Sequence, residues 1–333
     1  MKVFVTGATG YVGYNLALTL AQQGNRVHIL VRNPQSAFIP EHSNINVFTG
    51  DITKKETIGF AMQGCEQVFH TAALVKLYAT RPADFYDINV EGTRNVLEAA
   101  LQTGVKKFIF TSTCGVFGPS LNEPMRETDP RIKGFDNDYD LSKFLAEKLV
   151  MEYAKKGLFT VVVSASKVFG PGIETHPISI NGTIKRFMEG KPSFCPSPSH
   201  FISNYVFIDD LVKGHILAME KGTSGEKYIL GGENLSYATF YQTIRNAGAS
   251  GPLIPIPKNI ASLYGYWHVI HSKMMGKEPF FNAKSVNNIY CNKSFSCSKA
   301  INELGYTITP FALALQSTIQ FLNPFLCLTP AIH

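Results

Sequence analysis

Cysteine is scarce in this chain, with six in 333 residues, at positions 65, 114, 195, 291, 297 and 327. No two stand in CxxC spacing, and a chain of this length needs no disulfide staples. The thiols are therefore expected to be reduced and the setting cytoplasmic. Long apolar runs are missing as well. No segment reaches the roughly 18 consecutive apolar residues of a membrane span, and no membrane partner is expected. No leader segment is expected either, because Met1-Lys2 runs straight into Val3-Phe4-Val5. Blocks of like charge are absent. Lys plus Arg number 31 against 25 for Asp plus Glu, a net +6, and the positive residues are scattered. That pattern argues against nucleic acid as a partner and fits a solvated surface, with a few charges facing an anionic cofactor. There is no internal repeat or low-complexity tract. His70 has no second His or Cys at ligand spacing, so no metal is expected.

Apolar residues make up 45% of the chain and aromatic residues 12%, too much for a disordered chain. The first half alternates strand and helix. Strands are predicted at Lys2–Thr6, Arg26–Val31, Ile45–Thr49, Gln67–His70, Lys107–Phe110 and Thr160–Ser164. Helices are predicted at Tyr11–Gln23, Lys54–Met62, Ala83–Leu101 and Tyr139–Lys156. Gly24, Gly104 and Gly157 read as helix stops. Near-continuous apolar strands alternating with helices predict an α/β fold, a doubly wound parallel sheet of Rossmann type. After Val168 the pattern loosens, and Pro171, Pro177, Pro192, Pro196 and Pro198 punctuate irregular sequence. Val206–Ile208 and Lys227–Leu230 read as returns to the sheet.

Thr6-Gly7-Ala8-Thr9-Gly10-Tyr11-Val12-Gly13 joins the first strand to the first helix. Gly7 permits a tight turn, Gly10 lets backbone approach a phosphate, and Gly13 lets the helix lie close to the sheet. Free N–H groups at the helix start then face a pyrophosphate. The expected ligand is a dinucleotide. Val31-Arg32-Asn33 ends the second strand without the acid that would bind a ribose 2′-hydroxyl. Arg32 pairs better with a 2′-phosphate, so NADP is expected, with NAD as the alternative. Thr71, Ala72 and Ala73 end the fourth strand. Their small size lets backbone pass beside a cofactor.

Tyr139-Asp140-Leu141-Ser142-Lys143 places Tyr139 and Lys143 on one helix face. A free phenol has a pKa of about 10, and a neighbouring ammonium favours its ionised form. Lys143 is also placed to bond the nicotinamide ribose. A strand ending in hydroxyls, Thr111-Ser112-Thr113, precedes this pair. One of those hydroxyls would stabilise a developing alkoxide.

The GxxGxxG turn, the hydroxyl-ended strand and YxxxK, in that order, resemble the extended short-chain dehydrogenase/reductases, the NAD-dependent epimerase/dehydratase family. Asn89-Val90-Glu91-Gly92-Thr93, Val168 to Gly172, Val206 to Asp210 and Tyr228 to Asn234 extend the likeness to about residue 323. The sequence is most similar to dihydroflavonol 4-reductase-like and hopanoid-associated sugar epimerase-like members. The resemblance implies Thr113, Tyr139 and Lys143 as catalytic residues, with Ser112 as the fallback hydroxyl. Thr113 departs from the usual serine. It implies that Asp51, followed by Ile52, meets the adenine; the residue reads equally as a helix N-cap. It implies a cofactor domain at 1–167 and 205–232, a smaller discontinuous substrate lobe at 168–204 and 233–323, and a tail at 324–333. It also implies a homodimer, frequent in the family, through helices at about 87–103 and 140–156, whose apolar residues read equally as intrachain core. Asn89 is read as tying loops together rather than as a reacting group.

The leading function is an NADPH-dependent carbonyl reductase acting on a small-molecule ketone. The first alternative is a nucleotide-sugar epimerase or dehydratase with tightly bound NAD(P). Two absences weigh against it. Phe201-Ile202-Ser203-Asn204 lacks the arginine that sugar-nucleotide members often carry there, and Cys114 rather than an acid follows Thr113. Lys167 keeps it open, since it reads as a contact for a substrate anion. The second alternative is a dinucleotide-binding regulator, which would usually have lost Tyr139 or Lys143. A thiol nucleophile at Cys114 is disfavoured because no Cys–His arrangement accompanies it. Phe187, Phe194, Phe201, Tyr264, Tyr266, Trp267, Phe280 and Phe281 read mostly as core, with some expected to line an apolar pocket.

Overall fold

A computed structural model describes residues 1–76, 79–173, 179–276, 279 and 286–322. The expected tail at 324–333, Cys327, Pro177, Phe280 and Phe281 lie outside the described residues. Twelve strands are described: β1 Lys2–Thr6, β2 Arg26–Val31, β3 Ile45–Thr49, β4 Gln67–His70, β5 Lys107–Thr113, β6 Phe159–Ala165, β7 Lys167–Phe169, β8 Ser193–Ser197, β9 Ile202–Phe207, β10 Glu226–Leu230, β11 Glu233–Ser236 and β12 Leu253–Pro257. The helices used below are α1 Tyr11–Gln22, α2 Ile58–Met62, α3 Ala83–Tyr86, α4 Gly92–Gln102, α5 Asp138–Lys155, α6 Ile180–Met188, α7 Ile208–Lys221, α8 Tyr237–Asn246 and α9 Lys258–Met274.

Seven strands form one sheet in the order β10-β6-β5-β4-β1-β2-β3, every pair parallel. The order reverses between β1 and β4, where a doubly wound sheet opens a crevice at its carboxyl edge. Registers bring the strand ends level: Thr6 lies beside Leu30 on one side and His70 on the other. The strands are apolar because both faces are covered. Val3, Val5, Ile29 and Ile109 pack on one side with α1 and α7; Phe4, Val68, Phe108 and Phe110 pack on the other with α4 and α5. Gly24 and Gly157 end their helices at φ of 83° and 93° with open space around them, as the sequence predicts.

β5 runs past the apolar Lys107–Phe110 to its hydroxyl end at Thr113, because Thr111, Ser112 and Thr113 pair with Val163, Ser164 and Ala165, as the hydroxyl-ended strand implies. Two elements differ from the sequence reading. The stretch read as one helix from Ala83 to Leu101 contains a π-helical turn at Asp87–Glu91, and Asn89 in that turn is buried. Val206 and Phe207 do not rejoin the main sheet. They lie in β9, which pairs with β7 and β11 in a separate three-stranded sheet. Apolar strand patterning reports burial, not which sheet supplies the partner. Only β10 returns to the main sheet, beside β6.

Beyond β7 the chain also forms a parallel β8–β12 ribbon with α6, α8 and α9. Its core is aromatic: Tyr205 stacks on Phe240 at 4.7 Å, and Phe169 meets Phe311 at 4.9 Å. Phe187 belongs to this core, whereas Phe194, Tyr264, Tyr266 and Trp267 are exposed. Exposure takes these four out of the core in which the sequence reading placed most of the aromatics.

Two buried histidines tie the main sheet together. Thr93 Oγ1 donates to the Asn89 carbonyl (2.7 Å), so it accepts from His70 Nε2 (2.9 Å), which leaves His70 Nδ1 to accept from Thr6 Oγ1 (2.6 Å). His215 Nδ1 donates to the Leu211 carbonyl (2.8 Å), and its Nε2 accepts from Thr111 Oγ1 (2.9 Å). Burial, aided by the Lys143 charge, holds His70 down to about 3, and burial holds His215 down to about 4. Both stay neutral in the fold but take up a proton on unfolding below their ordinary value of 6.5. Stability is therefore full above that value and falls as pH drops from it toward 4. The slope is about 1.4 kcal/mol per pH unit for each ring. Thermal unfolding at pH 7 and at pH 5 checks this, and a midpoint that does not move would contradict it.

Candidate active site

The sheet's reversal point carries the glycine-rich turn. Gly7 leaves β1 at φ 76°, and the Gly10 amide closes the turn on the Gly7 carbonyl at 2.9 Å. A Cβ on Gly7 would collide with Ala72 backbone, and one on Gly13 with the Gly7 carbonyl and Thr71 Oγ1. Gly10 is the N-cap of α1 and supplies no side-chain acceptor. The first amides of α1, at Tyr11, Val12 and Gly13, thus sit at the positive end of the helix without a capping side chain. This backbone cradle fits a pyrophosphate.

The other strand ends stand level with this turn. Arg32 follows β2 directly and is exposed. Asp51 follows β3, and its Oδ1 accepts from the Thr53 amide and hydroxyl, both at 2.9 Å. This is a local turn onto Thr53; the helical stretch starts at Lys55 with Lys54 as its N-cap, so the reading of Asp51 as a helix N-cap is not met. Ile52 is buried against Gly92. Past β4, Thr71 Oγ1 donates to the Thr6 carbonyl (2.7 Å), and the Ala72 amide reaches Thr6 Oγ1 (3.3 Å). Thr9 and Ala73 lie on the same edge, in the turns after β1 and β4.

Thr113 ends β5, and α5 carries Tyr139 and Lys143 alongside that strand. Asn137 caps α5 through the Asp140 amide at 2.7 Å, which starts the helix so that Tyr139 lies in its first turn. Gly115 lets β5 and α5 close up, since a Cβ there would run into the Asp140 carboxylate. The Tyr139 phenol lies beside Thr113, close enough for that hydroxyl to favour its ionised form. Thr113 Oγ1 also accepts from the Gly115 amide at 3.1 Å. Ser112 points to the opposite face of the strand, and its buried hydroxyl finds no partner. Lys143 is buried, with its ammonium 4.0 Å from the centre of the Phe110 ring.

The electrostatics differ from the expectation of an acidified phenol. Burial and then the Asp140 carboxylate push Tyr139 well above its ordinary value, outweighing the Thr113 hydroxyl. Burial holds Lys143 down to about 7, with Glu147 opposing. At neutral pH the phenol is protonated, and the amine is near its midpoint. The cost of burying charge exceeds the attraction that i, i+4 spacing suggests.

The profile of the NAD dependent epimerase/dehydratase family matches residues 3–231 of this chain. The chain belongs to that family. Its members are NAD(P)-dependent enzymes of the extended short-chain dehydrogenase/reductase type. A 3-beta-hydroxysteroid dehydrogenase of Mycolicibacterium neoaurum is 30% identical over 322 residues, covering 92% of this chain and 86% of the relative. A putative dihydroflavonol 4-reductase of Synechocystis sp. is 29% identical over 332 residues, covering 96% and 93%. The structure of a UDP-glucose 4-epimerase from Thermotoga maritima superposes with a TM-score of 0.81 over 98% of this chain and 100% of the other, at 22% identity. That likeness is one of fold.

Within this family member, several site-shaping residues escape a linear reading. Asn89 holds the loop after β4 through the Leu74 amide (2.7 Å) and reaches Ser142 of α5 (2.9 Å), while Ser142 Oγ donates to the Tyr139 carbonyl (2.8 Å). The tie expected of Asn89 thus extends to the helix that carries Tyr139. The Tyr11 hydroxyl donates to the Gly170 carbonyl at 2.6 Å, and Asn181 brackets the same Gly170 through its amide and carbonyl. Nothing local in the sequence marks Asn181, whose partners are far away in the chain. Cys114 is buried, and that burial pushes its thiol well up, away from nucleophilic use. The Lys167 ammonium bonds Ser203 (2.8 Å) and Tyr237 (3.2 Å). No helix among the described residues is long and apolar enough to cross a membrane.

Proposed function

We propose that this chain is an NADPH-dependent carbonyl reductase acting on an apolar ring ketone, with Tyr139 as the proton donor. The observation that carries the reading is the Tyr139 phenol set beside the Thr113 hydroxyl at the carboxyl end of β5, with its titration pushed upward by burial. When bound, the nicotinamide supplies the hydride. The chain's own residues handle the proton and the charge on oxygen. Tyr139 gives its proton to the carbonyl oxygen as that oxygen gains negative charge. Thr113 Oγ1 accepts from the Gly115 amide, which leaves its O–H free to donate to the same oxygen. Lys143, when charged, favours the phenolate that remains. Gly7, Gly10 and Gly13 with the start of α1 would hold the pyrophosphate, and Arg32 the 2′-phosphate. A half-buried phenol pushed upward keeps its proton at neutral pH, the state that carbonyl reduction demands of a donor.

Two further features support reduction over sugar-nucleotide chemistry. Cys114, not an acid, follows Thr113. Before Tyr205 stand Ser203 and Asn204, and their side chains are engaged by Lys167 and by Gly232 and Asn234. The relatives named for a steroid and a flavonoid substrate favour a fused-ring ketone. NADPH oxidation over a panel of steroid, flavonoid and terpenoid ketones, run beside UDP-sugar interconversion, tests the reading. Stoichiometric NADPH loss with alcohol formation is expected. Sugar interconversion without net oxidation would overturn it.

The cofactor preference is tested separately. NADPH is expected to bind more tightly than NADH, and Arg32→Ala to remove most of the difference, about tenfold or more, by loss of one charge-assisted pair. Titration of both cofactors by fluorescence decides. Equal affinities in the unmodified protein would remove the argument from Arg32.

A further inference from the structure

The outer face of α9 runs against the usual pattern of a surface helix. Ile260, Leu263, Tyr264, Trp267, Ile270 and Met274 recur at helical spacing and all face solvent, with Leu263 70%, Trp267 54% and Met274 81% exposed. The residues turned toward the protein are small or polar, among them Gly265, His268 and Ser272. A helix that served only this fold would place its large apolar side chains inward. The adjoining β8–β12 ribbon adds Phe194 and Ile254, which are paired in register and both exposed. A contiguous apolar face of this kind marks a surface made for another phase or partner.

Charge identifies the partner. From Asn234 to Lys277 the sequence contains no Asp or Glu, while Arg245, Lys258, Lys273 and Lys277 are basic. Lys258 and Lys273 fall at the two ends of α9 within this acid-free segment, and an apolar helix so flanked complements a negatively charged surface. Tyr264, Tyr266 and Trp267 combine an apolar ring with a polar tip, as residues at a lipid–water boundary do. We infer that α9 docks on the surface of an anionic lipid bilayer, lying in the interface with Leu263, Trp267 and Ile270 turned into it. This departs from the expectation of no membrane partner. Hydropathy excludes a spanning helix and is silent on one that lies flat.

The full chain has a single tryptophan, Trp267, so its emission reports on this face alone. The test is co-sedimentation with phosphatidylcholine vesicles, with and without phosphatidylglycerol, while Trp267 emission is followed. Binding to the anionic vesicles, a blue shift on binding and weakening with added salt are expected. The double variant Leu263→Glu, Ile270→Glu should bind about tenfold less or weaker, through loss of apolar burial and added repulsion. Its far-UV circular dichroism should match the parent. A parent chain that stays in the supernatant with every vesicle would overturn the inference, as would equal binding to neutral vesicles. Emission already blue in buffer, together with a doubled mass that the double variant abolishes, would assign the face to a second copy instead and also overturn it.

Discussion

Tyr139→Phe is expected to lower kcat by about a hundred- to ten-thousandfold, the usual worth of a positioned proton donor. NADPH affinity should stay nearly unchanged. The ring of Phe fills the same space, and the α5 contacts of Asn89 and Ser142 reach only the Tyr139 backbone. Steady-state rates and cofactor titration on one preparation separate the two effects. Retained turnover would show that another group supplies the proton. The pH profile of the parent sharpens this. With Lys143 held to about 7, its charge is present below that value and lost above it. Carbonyl reduction should therefore weaken as pH rises through about 7, and Lys143→Met should erase that limb. A limb that survives the substitution would assign the titration to another group.

Gly13→Ala is the second large effect. The new methyl would meet the Gly7 carbonyl and Thr71 Oγ1 at once, and backbone cannot step aside as a flexible side chain can. Overpacking of this kind costs about 1–3 kcal/mol. Here it also displaces the turn from the start of α1. Dinucleotide affinity is expected to fall about ten- to hundredfold, with a lower thermal midpoint. Gly59→Ala is the control. Gly59 lies in α2 with nothing near its missing Cβ, so the change should be neutral or stabilising by about 0.5–1 kcal/mol. Calorimetry and cofactor titration on both variants decide the matter. Equal losses in the two would show that glycine flexibility, and not space at the turn, is what counts.

The parts of this protein read correctly from sequence share one property: the information lies within a few residues. The turn from Gly7 to Gly13, the spacing of Tyr139 and Lys143, the helix stops at Gly24 and Gly157 and the alternation of the first six strands are all of this kind. The parts missed depend on neighbours distant in the chain. Val206 and Phe207 pair with Val168 and Phe169 in a second sheet, and no local pattern names that partner. Asn181 reaches Gly170 and Tyr11 only after the fold closes. The aromatics of α9 look like core in one dimension and turn outward in three.

By itself, then, the amino-acid order determined the parallel α/β sheet, the family and the residues that gather at the carboxyl edge of β1, β4 and β5. Glycine geometry and helical periodicity are short-range properties of the backbone. Tertiary structure alone decided the protonation of Tyr139, the neutrality of His70 and the outward face of α9. Each of these is a difference in solvation, and solvation is set by everything the fold packs around a group or leaves away from it.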